Sequence, residues 1–361
     1  MSSIIVANGP LLAPFSIAFE CYGTRIGVST NEATILDSLP AHLPVKSKLI
    51  DASDLENKFT LLTNEVARSQ EGTDTYSLYD GECLVLSTGD LAVALKQLSR
   101  ELDAVVALEA SPWVFVHAGV VGWQAGAIVI PGRSMTGKTS LVAALVKAGA
   151  TYYSDEYAVF DRQGYVHAFP KPLHFRTGQR GEPEKISAEQ LGGRIGTTAL
   201  PVTLLVSTCY EAQARWRPEL IEPGQAVLRL FDNTVDALRR PEGAIEIFAR
   251  AVSGCVAISG PRPSSEQVAP LLLALCDRIH HDTSAEGSKL QGGLDLDSLS
   301  LSQPLTNGGH HDVQTESPAR RVNNTRSRTG VGSVRRASSM CSSPQQSGRA
   351  HFAGQRWHTD G

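Results

Sequence analysis

The chain has no apolar run near the roughly 20 residues that a helix needs to cross a bilayer. Its opening residues, apolar around Ile4 to Val6 and Leu11 to Ile17, lack a basic stretch ahead of them. Neither a spanning helix nor a secretory leader is expected, and the reading is of a cytoplasmic protein with no membrane partner. Cysteine is sparse and irregular: Cys21, Cys83, Cys209, Cys255, Cys276 and Cys341 form no CxxC pair. That spacing argues for free thiols rather than zinc or a disulfide framework. Charge of one sign is also lacking. A formal net charge of −4 over 361 residues provides no broad field for wrapping nucleic acid, so no specific nucleic-acid partner is expected. No internal repeat is visible.

What remains is ordinary globular material, 42% hydrophobic and 19% charged, long enough for one large or two medium domains. Residues 1–105 show short apolar runs broken by turn residues (Ser16 to Gly23, Arg25 to Val28, Thr75 to Tyr79, Cys83 to Ser87), then a helical pattern from Asp90 to about Leu108. They predict a small N-terminal α/β module. Residues 106–282 alternate strand-like runs (Val114 to His117, Ala127 to Ile130, Ala158 to Asp161, Val202 to Ser207) with helical ones (Thr139 to Lys147, Gly243 to Val252, Ser265 to His280). This alternation predicts α/β architecture, helices packed on a mixed sheet, with Ile128, Ile130, Leu141, Leu145, Leu204 and Val206 in its core. From 283 to 361 the composition turns to Ser, Gly, Gln, Asn, Thr and Arg with few aromatics. Such a segment buries too little apolar surface to offset its ordering entropy, and disorder is expected. Its arginines and the run Arg335-Arg336-Ala337-Ser338-Ser339 are assigned no function.

The strongest local signal is Gly132-Arg133-Ser134-Met135-Thr136-Gly137-Lys138-Thr139, which fits G-x-x-x-x-G-K-[ST] and continues into Ser140. An apolar strand precedes it and a helix pattern follows, as a phosphate-binding loop requires. Backbone N–H groups must converge on phosphate oxygens at a helix N-terminus, and glycines allow the sharp turns. Lys138 would reach the β- and γ-phosphates of a bound nucleotide, and the Thr139 hydroxyl would face magnesium, so ATP and Mg2+ are the expected cofactors. Downstream, Asp155 and Glu156 open an apolar strand. One acid near a triphosphate can hold magnesium while a second accepts a proton from an attacking hydroxyl. His117 ends another apolar strand, where it could hydrogen-bond phosphate. Lys171 and Arg176, in Phe169-Pro170-Lys171-Pro172-Leu173-His174-Phe175-Arg176, are candidate cations for stabilising a transferred phosphoryl group.

Taken together, His117-Ala118-Gly119-Val120, the loop from Gly132 to Thr139, Tyr153-Ser154-Asp155-Glu156-Tyr157 and the segment Phe169 to Arg176 resemble the catalytic domain of HPr kinase/phosphorylase, and more closely the HPr kinase-related proteins found beside peptide-modification genes. The resemblance spans Trp113 to Arg176 and, more loosely, runs to Cys276. It implies a phosphoenolpyruvate-carboxykinase-like P-loop nucleotide-binding fold and ATP-dependent phosphorylation of a seryl hydroxyl on a small protein or peptide acceptor. By the same resemblance Asp155 is the general base, Glu156 a magnesium-associated acid and His117 a phosphate-pocket residue. A homo-oligomer stays open. Met135 stands where the bifunctional enzymes usually carry glycine, Glu156 where they carry a second aspartate, and their signature after Arg176 has no clear match. Phosphorylase activity is therefore not expected. A nucleotide-binding regulatory module without phosphotransfer and a small-molecule kinase remain alternatives.

Overall fold

The structure, a computed structural model, describes residues 13–51, 55, 57–64, 75–132, 136–175, 184–237, 239 and 241–285, all within one compact unit. The chain begins with a hairpin of β1 (Phe15–Cys21) and β2 (Thr24–Thr30), closed by Tyr22 and Gly23 at φ of 50° and 82°. Positive φ at both turn residues is the geometry that matches strand twist in a two-residue loop. After α1 (Ala33–Ser38) come β3 (Lys48–Leu49), β4 (Asn57–Asn64), β5 (Thr75–Asp80) and β6 (Cys83–Thr88). They complete a six-stranded sheet in the order β3-β1-β2-β4-β5-β6, parallel only between β2 and β4.

Helix α2 (Leu91–Glu109) then lies against that sheet. Its start is fixed by Asp90, whose carboxylate accepts from the Ala92 amide at 2.8 Å. Leu95, Leu98, Leu102 and Val106 recur at three- and four-residue intervals and are buried, as the helical pattern predicts. Sequence reading omitted α1 and β4. The first is a six-residue helix with no side-chain cap, and the second is recognisable chiefly by the alternating burial of Phe59 and Leu61.

The second half is built on β7 (Val114–Trp123), β8 (Gly126–Pro131), α3 (Lys138–Lys147), β9 (Thr151–Ser154), β10 (Tyr157–Phe160) and β11 (Val166–His167). A short ribbon of β12 (Leu173–Phe175) and β13 (Glu184–Ile186) stands apart. Then follow β14 (Val202–Ser207), β15 (Glu219–Leu220), α4 (Pro223–Phe231), α5 (Pro241–Val252), β16 (Val256–Ser259) and α6 (Ser265–Ala285). Helix α6 extends past the boundary expected at residue 283, and the remainder of the expected tail lies outside the described residues. The mixed eight-stranded sheet runs β11-β10-β7-β8-β14-β16-β15, with β9 also paired to β7.

Both faces of this sheet are covered. Along β8, Ile128 and Ile130 join a core with α3 and α6, whereas Ala127 and Val129 join a core with α4 and α5. That is the period-two alternation of a strand buried on both sides. A register irregularity between Val202 and Leu204 lets Val202 and Leu205 share the second core while Leu204 and Val206 face the first. All six residues expected in the core are buried. Within α3, Leu141 to Val146 are buried without a break, so the helix is enclosed rather than amphipathic.

Candidate functional site

The site forms where β8 ends and where the chain kinks between β9 and β10. Strand β8 delivers Gly132, and α3 starts at Lys138; Arg133, Ser134, Met135 and Arg176 lie outside the described residues. Gly137 caps α3 at φ of 82°, a conformation that β-carbon sterics disfavour. A β-carbon there would also come within 2.6 Å of an Arg262 nitrogen. The Gly137 carbonyl accepts both the first helical bond, from the Leu141 amide at 3.2 Å, and the Arg262 Nη2 at 2.7 Å. Thr136, Lys138 and Thr139 are half-buried around this turn, and Ser140 is exposed.

The acids sit opposite. Strands β9 and β10 pair in turn with the two halves of β7, so they trace one strand interrupted at Asp155 and Glu156. Sequence reading put both acids at the start of the strand, on opposite faces; they occupy the break itself. The buried Ser154 hydroxyl accepts the Glu156 and Tyr157 amides at 3.1 and 3.0 Å and so holds the bend. Across it, β7 contributes small residues, Ala118 and Gly119. The Ala118 amide donates to the Glu156 carbonyl at 3.3 Å, and the Gly132 amide donates to the His117 carbonyl at 3.0 Å. The acid turn and the glycine loop are thus tied to consecutive positions of one strand.

Thr139 Oγ1 donates to Asp155 Oδ2 at 2.8 Å. The other oxygen, Oδ1, is buried with no hydrogen-bond partner among the described residues. Burial raises the Asp155 pKa to about 6, with the Thr139 bond and the Lys138 ammonium working against that rise. Glu156 is exposed, yet it lies in a concave surround that partly desolvates its carboxyl. Desolvation, then repulsion from Asp155, raises its pKa, while Arg100 and Lys138 pull it down. Lys138 shows the converse: burial lowers its pKa, and the two acids oppose the change. His117 is half-buried beside this turn, with its ring 5.0 Å from that of Tyr157.

Hard oxygen donors on Thr139, Asp155 and Glu156 suit magnesium, which typically takes one or two protein carboxylates and completes its shell with phosphate and water. No group of three or more His, Cys, Asp or Glu side chains converges among the described residues, so a closed protein cage is not the design. The unpartnered Asp155 Oδ1 is the observation that fits a cation or a hydroxyl donor there.

One expected residue is otherwise engaged. Lys171 is ion-paired with the buried carboxylate of Asp103 on α2, which ties the proline-bracketed loop to the N-terminal half and leaves little of this cation for substrate. Two residues escaped sequence reading. Arg262 is 1% exposed, its Nη1 donates to the Pro263 carbonyl at 3.0 Å, and its Nε is buried without a partner. Tyr210 is 55% exposed beside the loop, and its amide donates to the Thr136 carbonyl at 3.3 Å. Both lie far from Gly132 in sequence, and the only available signal was the turn composition of Gly260-Pro261-Arg262-Pro263. A cavity of about 360 Å³ between Trp113, Phe115, Thr234 and Ile247 lies away from these acids.

No family model matches this sequence, and no curated protein matches it. Among solved structures, the HPr(Ser) kinase/phosphatase from Coxiella burnetii is similar over 48% of this chain and 99% of that chain, at 15% identity and a TM-score of 0.25. A similarity of that size carries no argument. Among the described residues no helix is long and apolar enough to cross a membrane.

Proposed function

We propose that the chain binds ATP with Mg2+ at the turn from Gly132 to Ser140 and transfers the γ-phosphoryl group to a seryl hydroxyl of a small protein or peptide. The carrying observation is the 2.8 Å bond from Thr139 to Asp155, made by a carboxylate whose second oxygen has no described partner and whose pKa stands near 6. A carboxyl so tuned is ionised at neutral pH and basic enough to take a proton. In the reaction the acceptor oxygen attacks phosphorus as its proton passes to Asp155, and the bond to the ADP leaving group breaks. The Lys138 ammonium, which the two acids favour, would offset the negative charge that accumulates on the phosphates. Half-buried His117 would hydrogen-bond the phosphates, and exposed Glu156 stands beside Asp155. Bound Mg2+ would supply charge neutralisation on the phosphates, with Thr139 and Glu156 as its protein oxygens.

The test is calorimetry with ATP and magnesium together with labelled-phosphate transfer to serine peptides, on the native chain, Lys138→Ala and Asp155→Asn. Binding that needs Lys138 and transfer that needs Asp155 would support the kinase. ATP binding without turnover on any acceptor would replace it by a regulatory nucleotide-binding module, and absence of binding would end both readings.

A further inference from the structure

Outside the acid turn, one group of exposed basic residues spans two elements. On α2, Lys96, Arg100 and Asp103 follow one another at four- and three-residue spacing and so share a helical face. Asp103 is consumed by its ion pair with Lys171, while Lys96 and Arg100 are exposed. That ion pair holds α2 beside the segment entering β12. On the ribbon, His174 and Lys185 are direct cross-strand partners, and both are exposed. Cross-strand partners stand on one face of a sheet, whereas Glu184, next to Lys185 in the strand, points to the other.

The electrostatics agree with this arrangement. The His174 pKa is lowered by partial burial, then by Lys185, Lys96, Arg100 and Lys171 in turn, so these cations face one imidazole. Arg100 also lowers the Glu156 pKa, which puts one end of the basic surface next to the acid turn. Three exposed cations, Lys96, Arg100 and Lys185, gathered around one imidazole repel one another, an arrangement that costs free energy unless a partner of opposite sign covers it.

We propose that the surface formed by Lys96, Arg100, His174 and Lys185 docks an acidic polypeptide segment. Runs of glutamate or aspartate beside an acceptor serine would lie along it and bring the hydroxyl to Asp155. The docking stands on the charge arrangement alone; only the delivery of serine rests on the phosphoryl-transfer reading.

The experiment uses the full chain and a fluorescein-labelled peptide with one serine flanked by glutamates, against the same peptide flanked by glutamines, measured by anisotropy without nucleotide. The glutamate peptide should bind roughly tenfold or more tightly, because several rim charge pairs add. Lys96→Glu with Arg100→Glu should remove the preference, and Lys185→Glu, on the other element, should reduce it. Lys96 and Arg100 are exposed and hold no core contact, so unchanged melting would show that the variants fold. With ATP present, Lys96→Glu with Lys185→Glu should raise KM for the glutamate peptide and leave kcat unchanged. Equal affinity for the two peptides, or a preference that survives both sets of substitutions, would overturn the proposal. So would a uridine oligonucleotide that binds more tightly than the peptide with the same dependence on Lys96 and Arg100. Calorimetry with ATP on Lys96→Glu with Lys185→Glu separates the two readings, since neither side chain acts on Lys138, Asp155 or Glu156.

Discussion

The two sheets solve different problems. The N-terminal sheet is covered by α2 on one side, and its last strand, β6, leaves Leu84 at 56% and Val85 at 36% exposure. The second sheet is buried on both sides, to the point that every residue of β8 is buried. The glycine loop and the acid turn grow out of the second sheet, and the basic surface that faces them is supplied partly by α2 from the first half. A doubly covered sheet holds its strand ends rigidly, which suits chemistry; a singly covered one leaves outward positions for contact.

Activity should break that comparison first. Lys138→Ala is expected to lower turnover by at least about a hundredfold, read by labelled-phosphate transfer, since it removes a preorganised charge on the phosphates. Asp155→Asn should lower it by about 10²–10⁴ as lost general-base catalysis. If Glu156→Gln proved the more damaging of the two acid substitutions, the acids would exchange their proposed roles. The native rate should climb as pH rises through about 6, where Asp155 loses its proton, and the climb should vanish in Asp155→Asn.

Stability follows. Leu145→Ala, in the enclosed α3, should cost about 2–5 kcal/mol in chemical denaturation, whereas Leu84→Ser on β6 should stay within about 0.5 kcal/mol. Asp155→Asn should go the other way. A carboxyl whose folded pKa is raised favours the folded state while protonated, and that advantage is lost as pH rises from its ordinary range through about 6. Without nucleotide at pH 7 the variant should therefore be more stable, by on the order of 2 kcal/mol, and flatter in its pH dependence between about 4 and 6. Arg262→Met should weaken ATP affinity by about tenfold as the Gly137 carbonyl loses its charged donor, read by calorimetry.

Local pattern made much of this legible in the sequence. Gly132, Gly137, Lys138 and Thr139 lie in one short motif, Asp155 and Glu156 follow at short range, and the strand and helix that flank the motif are long and strongly apolar. The helix from Asp90 was legible because a cap residue and a three-four repeat coincide. The residues that pairing alone brings together were not. Arg262 reaches Gly137 across 125 positions, and nothing in its neighbourhood marks it as buried. The interruption between β9 and β10 depends on a serine hydroxyl satisfying two amides, and a sequence does not state where a hydroxyl points. Lys171 read as a free cation because its partner, Asp103, belongs to the other half of the chain.

Strand β7 carries a consequence of its own. His117 and Ala118 receive the glycine loop on one edge and the acid turn on the other through main-chain bonds. The separation between the two is therefore a gauge of two strand spacings, about 9–10 Å, written in the backbone. Side chains on either rim can change without resetting it. A one-residue slip of β10 along β7 would carry Asp155 away from Thr139 while turning Tyr157 and Val159 to the wrong face of the sheet. Loss of the site and loss of the fold would then be one event.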